Sequence, residues 1–155
     1  LSQPQLNKKA PNFDLPATGE QNLSLKDFKD KNLVIYFYPK DNTPGCITEG
    51  QNFRDLYAEF QKLDTEIVGV SRDSVRVHEG FKKKQEFPFE LLSDKDEEMC
   101  KAYDVIKLKK MFGKEYMGIE RSTFLIDKSG KLRQEWRKVK VKGHAEEVLE
   151  AVKSL

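Results

Sequence analysis

The chain has 155 residues and a mass of 18.0 kDa, and its 28 Lys and Arg face 26 Asp and Glu for a formal net charge of +2. That length fits one domain with a buried core, and the near-balance of charge argues against a dedicated nucleic-acid binder. Two cysteines are too few for a disulfide framework, and no apolar run is long enough to span a membrane. The charge is unevenly spread, with 13 Lys and Arg against 5 Asp and Glu between residues 101 and 142. A solvated face accounts for such an excess, and so does a field that draws anions or an acidic partner.

Residues 1–9 read as a polar tail without the apolar segment of a signal peptide, which sets the expectation of a cytoplasmic protein whose single domain spans 10–155. Phe13 to Leu15 forms a short strand, Thr18-Gly19-Glu20 a turn, and Asn22 to Leu25 the returning strand before a short helix at Lys26 to Phe28. Leu33 to Tyr38 is an unbroken apolar and aromatic run, the mark of a strand buried on both faces. The chain then breaks at Pro39, turns through Asp41-Asn42-Thr43-Pro44-Gly45, and enters a helix from Pro44 to Leu63 with Phe53, Leu56, Tyr57, Phe60 and Leu63 at helical spacing. Glu66 to Ser71 is a second buried strand, Ser74 to Gln85 a charged helix, Phe87 to Leu92 a strand and Lys95 to Tyr103 a helix. Gly113 to Gly118 reads as a loop, Ser122 to Ile126 as a strand, and Asp127-Lys128-Ser129-Gly130 as a hairpin turn into a partner strand from Leu132 to Val141. An amphipathic helix from His144 to Leu155 closes the chain. Alternating strands and helices followed by a hairpin and a helix predict an α/β protein. Its mixed central sheet has helices on both faces in thioredoxin-like order, with an N-terminal β-hairpin extension.

The chemistry centres on Cys46. It lies in the first turn of the predicted long helix, where unpaired N–H groups and the helix dipole favour an anion, so its thiol is expected to ionise readily. A thioredoxin-type dithiol needs a second cysteine three residues on, where Glu49 stands, and a phosphatase loop needs an arginine where Asn52 stands. Cys46, Cys100, His78 and His144 are too scattered for a zinc site. What remains is a lone activated thiolate with the Thr43 hydroxyl three residues before it and Pro39 as a shield from bulk water. That combination suits attack on a peroxide O–O bond.

Pro39 to Cys46, PxxxTPGC, resembles the active-site signature of peroxiredoxins. The longer FYPKDNTPGCITEG, together with LLSD at Leu91 to Asp94 and GIERSTFLID at Gly118 to Asp127, resembles the Q-type or bacterioferritin-comigratory-protein subfamily. The resemblance implies a thioredoxin-like fold and a thiol-dependent peroxidase that reduces hydrogen peroxide and organic hydroperoxides without metal or other cofactor. It assigns the peroxidatic nucleophile to Cys46, the peroxide-binding hydroxyl to Thr43, the shield to Pro39 and the active-site arginine to Arg121, with Glu49 orienting that arginine. Thr43 also stands where a helix N-cap belongs, and one residue can do both. Trp136 and Tyr38 read as packing residues, His78 and His144 as surface residues.

Oxidation of the nucleophile to sulfenic acid demands a recycling step. Gln51 occupies one position at which related proteins keep a resolving cysteine, and no cysteine lies in Phe81 to Lys84, where others keep it. Cys100 is left, either a small hydrophobe packed in its helix or an unusual resolver. The favoured expectation is a one-Cys cycle with thioredoxin, glutaredoxin or a small thiol as reductant and a monomer as the working unit. The monomer is what the resemblance to Q-type proteins implies, and the charged Lys138-Val139-Lys140-Val141-Lys142 strand, as an edge that resists pairing, is consistent with it. A redox sensor or holdase switched by Cys46 oxidation is the competing reading.

Overall fold

The computed structural model describes residues 4–155. Residues 1–3 of the expected polar tail lie outside the described residues, while Asn7 and Lys8 already exchange backbone hydrogen bonds with Leu132 and Lys9 bridges Lys131.

Nine strands and four α-helices appear among the described residues. They run β1 (Asp14–Ala17), β2 (Gln21–Ser24), β3 (Asn32–Phe37), α1 (Pro44–Lys62), β4 (Thr65–Ser71), α2 (Val75–Gln85) and β5 (Glu90–Ser93). They continue as α3 (Glu98–Ala102), β6 (Ile106–Met111), β7 (Lys114–Ile119), β8 (Ser122–Ile126), β9 (Leu132–Trp136) and α4 (His144–Lys153). Seven strands form one mixed sheet in the order β2-β1-β5-β4-β3-β8-β9, with β3, β4 and β5 parallel and the remaining pairings antiparallel. The expected N-terminal hairpin is therefore β1–β2, joined to the main sheet along β5.

β3 is buried along its whole length because both of its faces are covered. Leu33, Ile35 and Phe37 enter one core with Phe13, Met99, Cys100, Tyr103 and Phe124. Val34, Tyr36 and Tyr38 enter the opposite core with Cys46, Phe53, Phe60, Phe81 and Val148. The period-two geometry of a strand makes that division. Helices α1, α2 and α4 thus cover one face of the sheet, and α3 covers the other.

Two stretches depart from the sequence reading. The expected loop at 113–118 belongs to a second, two-stranded sheet in which Ile106–Met111 pairs with Lys114–Ile119. Phe112 (φ 53°) and Gly113 (φ 78°) supply the two positive φ angles of a tight hairpin turn. The hairpin leaves no strand signal in the sequence because it is solvated on most sides: Leu108, Met111 and Met117 are exposed, and the Lys-rich strand shows no buried face. Conversely, the partner strand ends at Trp136 rather than Val141. Lys138 adopts a left-handed backbone (φ 49°) that breaks the extended run, and Val139 N–H donates to the Arg121 carbonyl. The charged 138–142 edge strand does not exist. The true edges are β2 and β9, where Gln21, Asn22, Arg133 and Gln134 are polar and exposed.

Candidate active site

The site forms at the carboxyl ends of the parallel strands, where α/β sheets characteristically open a crevice. β3 stops when Pro39 follows Tyr38, because proline has no N–H for the ladder. Five loop residues, Pro39 to Thr43, then lead to α1, with Pro44 at the first helical position, where a missing N–H costs nothing. Cys46 stands in that first turn, 2 % exposed.

Arg121 reaches the same place from 75 residues further along the chain. Phe37 at the end of β3 pairs with Ser122 at the start of the antiparallel β8, so the residue before β8 lies at the sheet end from which the Cys46 loop departs. Arg121 Nη2 donates to Cys46 Sγ at 3.4 Å, and Nη1 donates to Glu49 Oε1 at 2.6 Å. Glu49 lies three residues after Cys46 on the same face of α1 and is buried. Gly45 leaves space for the guanidinium, since a Cβ there would stand 3.1 Å from Nη2. Arg121 thus contacts both Cys46 and Glu49.

Burial alone would lower the Arg121 guanidinium, but the Glu49 carboxylate and the Cys46 sulfur outweigh it and leave it raised. It is a fixed positive charge beside the sulfur. Burial raises the Glu49 carboxyl from its ordinary 4.5 to about 7, against the pull of Arg121. Between those values the folded state binds more protons at Glu49 than the unfolded chain, so this group's contribution makes stability fall as pH rises across the window. Glu49→Gln retains an oxygen for Arg121 Nη1 and cannot ionise. Its expected behaviour is a flatter pH dependence of thermal unfolding over that window and higher stability than the parent above it. An unchanged pH profile in the variant would show that Glu49 is not the titrating group.

Thr43 occupies the N-cap position of α1, yet its side chain makes no cap hydrogen bond. Its hydroxyl donates instead to the Lys40 carbonyl at 2.7 Å. The capping alternative is therefore not realised, and the first-turn amides of α1 have no hydroxyl on them. Pro39 is half-buried and borders this loop.

Cys100 lies on the other side of the sheet, fully buried in the core that contains Phe37 and Met99, whereas Cys46 belongs to the opposite core. Burial and then the Asp94 carboxylate push its thiol far up, so it stays protonated. Its environment is that of a packed hydrophobe, the favoured expectation.

The two histidines correct the sequence reading. Both are buried rather than superficial. His144 pairs with Thr123 Oγ1 at 2.8 Å, and burial lowers its pKa to about 4, leaving the ring neutral. His78 Nδ1 faces Asp41 Oδ2 at 2.6 Å and Nε2 faces the Leu92 carbonyl at 2.9 Å. A polar ring on an amphipathic helix ordinarily points to water, and the partners that satisfy each of these two are remote in sequence. Tyr38 is a packing residue as expected, stacked on Tyr36, but its hydroxyl also donates to Asp41 Oδ1 at 2.6 Å. Trp136 packs against the core that contains Cys46 and donates to Glu147 Oε1 at 2.8 Å.

Among the described residues, Asp41, Asp73 and His78 bring three ligand-type atoms within 4.8 Å of one another. Their atoms are already committed to internal hydrogen bonds: His78 as above, Asp73 Oδ2 to the Asp41 N–H and the Ser71 hydroxyl. The set reads as a polar network, not a metal centre. Tyr36 is a further group at the site, with no functional signal in the sequence. Tyr36 Oη and Glu49 Oε2 are buried without a hydrogen-bond partner among the described residues. Burial first, and the charges of Glu49 and Cys46 after it, raise the Tyr36 phenol, which stays neutral.

Comparison with known proteins places this geometry. Residues 6–135 match the AhpC/TSA family. The chain is 53 % identical to Peroxiredoxin Bcp of Bacillus subtilis over 151 residues, covering 97 % of this chain and 96 % of that protein. It superposes on a Cys→Ser variant of PrxQ from Xylella fastidiosa with a TM-score of 0.93 at 46 % identity, covering 99 % and 98 % of the two chains. A structure of Xanthomonas campestris bacterioferritin comigratory protein, described for its alkyl peroxide reduction activity, gives a TM-score of 0.88 at 53 % identity over 92 % and 90 % of the chains.

Proposed function

Because the chain belongs to the AhpC/TSA family and is a peroxiredoxin, a thiol peroxidase working through a peroxidatic cysteine, we propose that Cys46 is that cysteine and that Arg121, Thr43 and Pro39 form its catalytic surroundings, with Glu49 in support. The observation that carries the assignment is the charge-assisted contact of Arg121 Nη2 with Cys46 Sγ at 3.4 Å, braced by Glu49 on the other arm of the guanidinium.

Arg121 compensates the thiolate, and as the O–O bond stretches it offers charge to the leaving oxygen. Thr43 has one hydroxyl hydrogen, engaged by the Lys40 carbonyl, so toward a substrate it presents lone pairs. It therefore accepts a hydrogen bond from the OH of a hydroperoxide and selects that oxygen for attack. The sulfur forms a bond to this oxygen, the O–O bond breaks, and the electron pair leaves on the distal oxygen, which takes up a proton from water as alcohol or water. Sulfur is oxidised by two electrons and the peroxide reduced by two.

The reductant is a thiol, and we propose that it comes from outside the chain, as thioredoxin, glutaredoxin or a small thiol. One external thiolate attacks the sulfenic sulfur and expels water, and a second thiol releases Cys46 as thiolate with formation of a disulfide. Cys100 is unsuited to this step, being protonated and behind the sheet. The working unit is proposed to be a cytoplasmic monomer with residues 10–155 acting as one domain. Among the described residues no helix is long and apolar enough to cross a membrane, and both sheet edges are polar.

One equivalent of hydrogen peroxide added to the reduced protein, followed by intact mass and peptide mapping, tests the reading. One oxygen added at Cys46 is expected, and a Cys46–Cys100 disulfide would overturn the external-thiol cycle. Cys100→Ala is expected to keep the parent's turnover with an external thiol in a steady-state assay. It should lose about 1 kcal/mol of stability from the vacated core volume.

A further inference from the structure

The structure points to Asp73 and His78 as positioning residues for peroxide reduction, which clamp the peptide between Lys40 and Asp41 and through it set the direction of the Thr43 hydroxyl. The inference rests on the reading of Thr43 as the peroxide's hydrogen-bond acceptor.

The loop from Pro39 to Thr43 has a single buried side chain. Lys40 and Asn42 are exposed, Pro39 and Thr43 are half-buried, and Asp41 is 4 % exposed. Asp41 is held from two sides. Its carboxylate takes the Tyr38 hydroxyl on Oδ1 and faces His78 Nδ1 on Oδ2, each at 2.6 Å. The second nitrogen of His78 faces the Leu92 carbonyl of β5, which can only accept, so Nε2 carries a hydrogen and ties the ring to the sheet. From the other side, the Asp41 N–H donates to Asp73 Oδ2 at 2.9 Å. Asp73 is fixed in turn by the Ser71 hydroxyl at 2.5 Å, and its carbonyl accepts from Ser93 Oγ at 2.6 Å. The clamp is therefore anchored on β4 and β5, outside the loop it holds.

The Asp41 N–H and the Lys40 C=O belong to one planar trans peptide, so they point in opposite directions and turn together. With Asp73 on the N–H edge, the carbonyl edge is committed to the Thr43 hydroxyl at 2.7 Å. Without it the peptide is free to rotate, and Thr43 already occupies an N-cap position. A threonine there ordinarily turns its oxygen onto the first-turn amides of its helix. In that arrangement its lone pair is spent on the helix and is lost to the substrate. The clamp thus keeps a residue placed as a helix cap from acting as one.

The test compares two reactions of Cys46, oxidation by hydrogen peroxide and alkylation by iodoacetamide, because only the first uses Thr43. Asp73→Ala and His78→Phe are each expected to slow oxidation about tenfold, the effect of one lost positional hydrogen bond, and to leave alkylation within about twofold of the parent. Asp73→Asn keeps an oxygen for the Asp41 N–H and should recover most of the rate. In a Thr43→Val background neither substitution should slow oxidation further. Equal slowing of both reactions, or an additive loss in the Thr43→Val background, would overturn the proposal. If Thr43→Val is slow while Asp73→Ala and His78→Phe run at full speed, the clamp alone fails. If Thr43→Val itself oxidises at the parental rate, the reading of Thr43 fails and the clamp with it. Should Asp73→Ala not fold, His78→Phe and Asp73→Asn still decide the matter.

Discussion

Cys46→Ser is expected to abolish peroxide turnover and to leave the fold intact. A serine hydroxyl fills nearly the same volume in a first turn that is 2 % exposed, and Arg121 can still donate to it. What is lost is the sulfur that accepts the peroxide oxygen. An alcohol remains protonated at neutral pH and is a far poorer nucleophile than a thiolate. The loss is total within the sensitivity of a coupled peroxide-consumption assay, and the thermal midpoint should lie within about 5 °C of the parent's, since a change near 1 kcal/mol shifts a domain of this size by that order. Residual turnover above the background of free thiol would place the chemistry elsewhere in the chain.

Arg121→Ala has the second-largest expected effect, a slowing of Cys46 oxidation by about 10²- to 10³-fold, the range typical of removing one preorganised charge donor. Two contacts vanish together, the one to Sγ and the one to Glu49. A buried carboxylate without its partner is costly if it stays ionised. Glu49, already near 7 with Arg121 beside it, will instead take up a proton, so the stability loss is modest. Arg121→Lys keeps the charge but cannot bridge two partners with a planar fork, and is expected to fall between parent and alanine. Stopped-flow oxidation of the reduced protein at several peroxide concentrations measures both variants. An alanine variant within threefold of the parent would remove Arg121 from the mechanism.

How far the molecule was legible in its sequence depended on the range of the interactions. The strand at 33–38, the break at Pro39 and the helix start at Pro44 are local matters, fixed by apolar runs and proline stereochemistry, and they put Cys46 in the first turn of α1 and Thr43 at its N-cap. Arg121 is 75 residues away, and only its resemblance to a known motif brought it to the sulfur; the β3–β8 register supplies the physical reason. Asp41, Asp73 and His78 carry no local signal. An aspartate in a turn and a histidine on a charged helix read as solvated, and their hydrogen bonds run 32 and 37 residues. The β6–β7 hairpin was missed because alternation identifies a strand only when one face is dry. Lys138 failed for the opposite reason, since an alternating Lys–Val pattern promised a strand that a single left-handed residue interrupts.

The separation of the two sulfurs by the central sheet also determines what oxidation looks like from outside. A chain that cannot close a loop on itself migrates identically on a non-reducing gel whether its sulfur is reduced or bears oxygen. A species of altered size that oxidation then yields is an intermolecular disulfide of Cys46, formed with a foreign thiol protein or with a second copy of the chain. In peroxide-treated cells expressing this chain and quenched with an alkylating agent, a protein donor should therefore appear as a band that collapses on reduction and differs from the pair of copies formed by the purified chain.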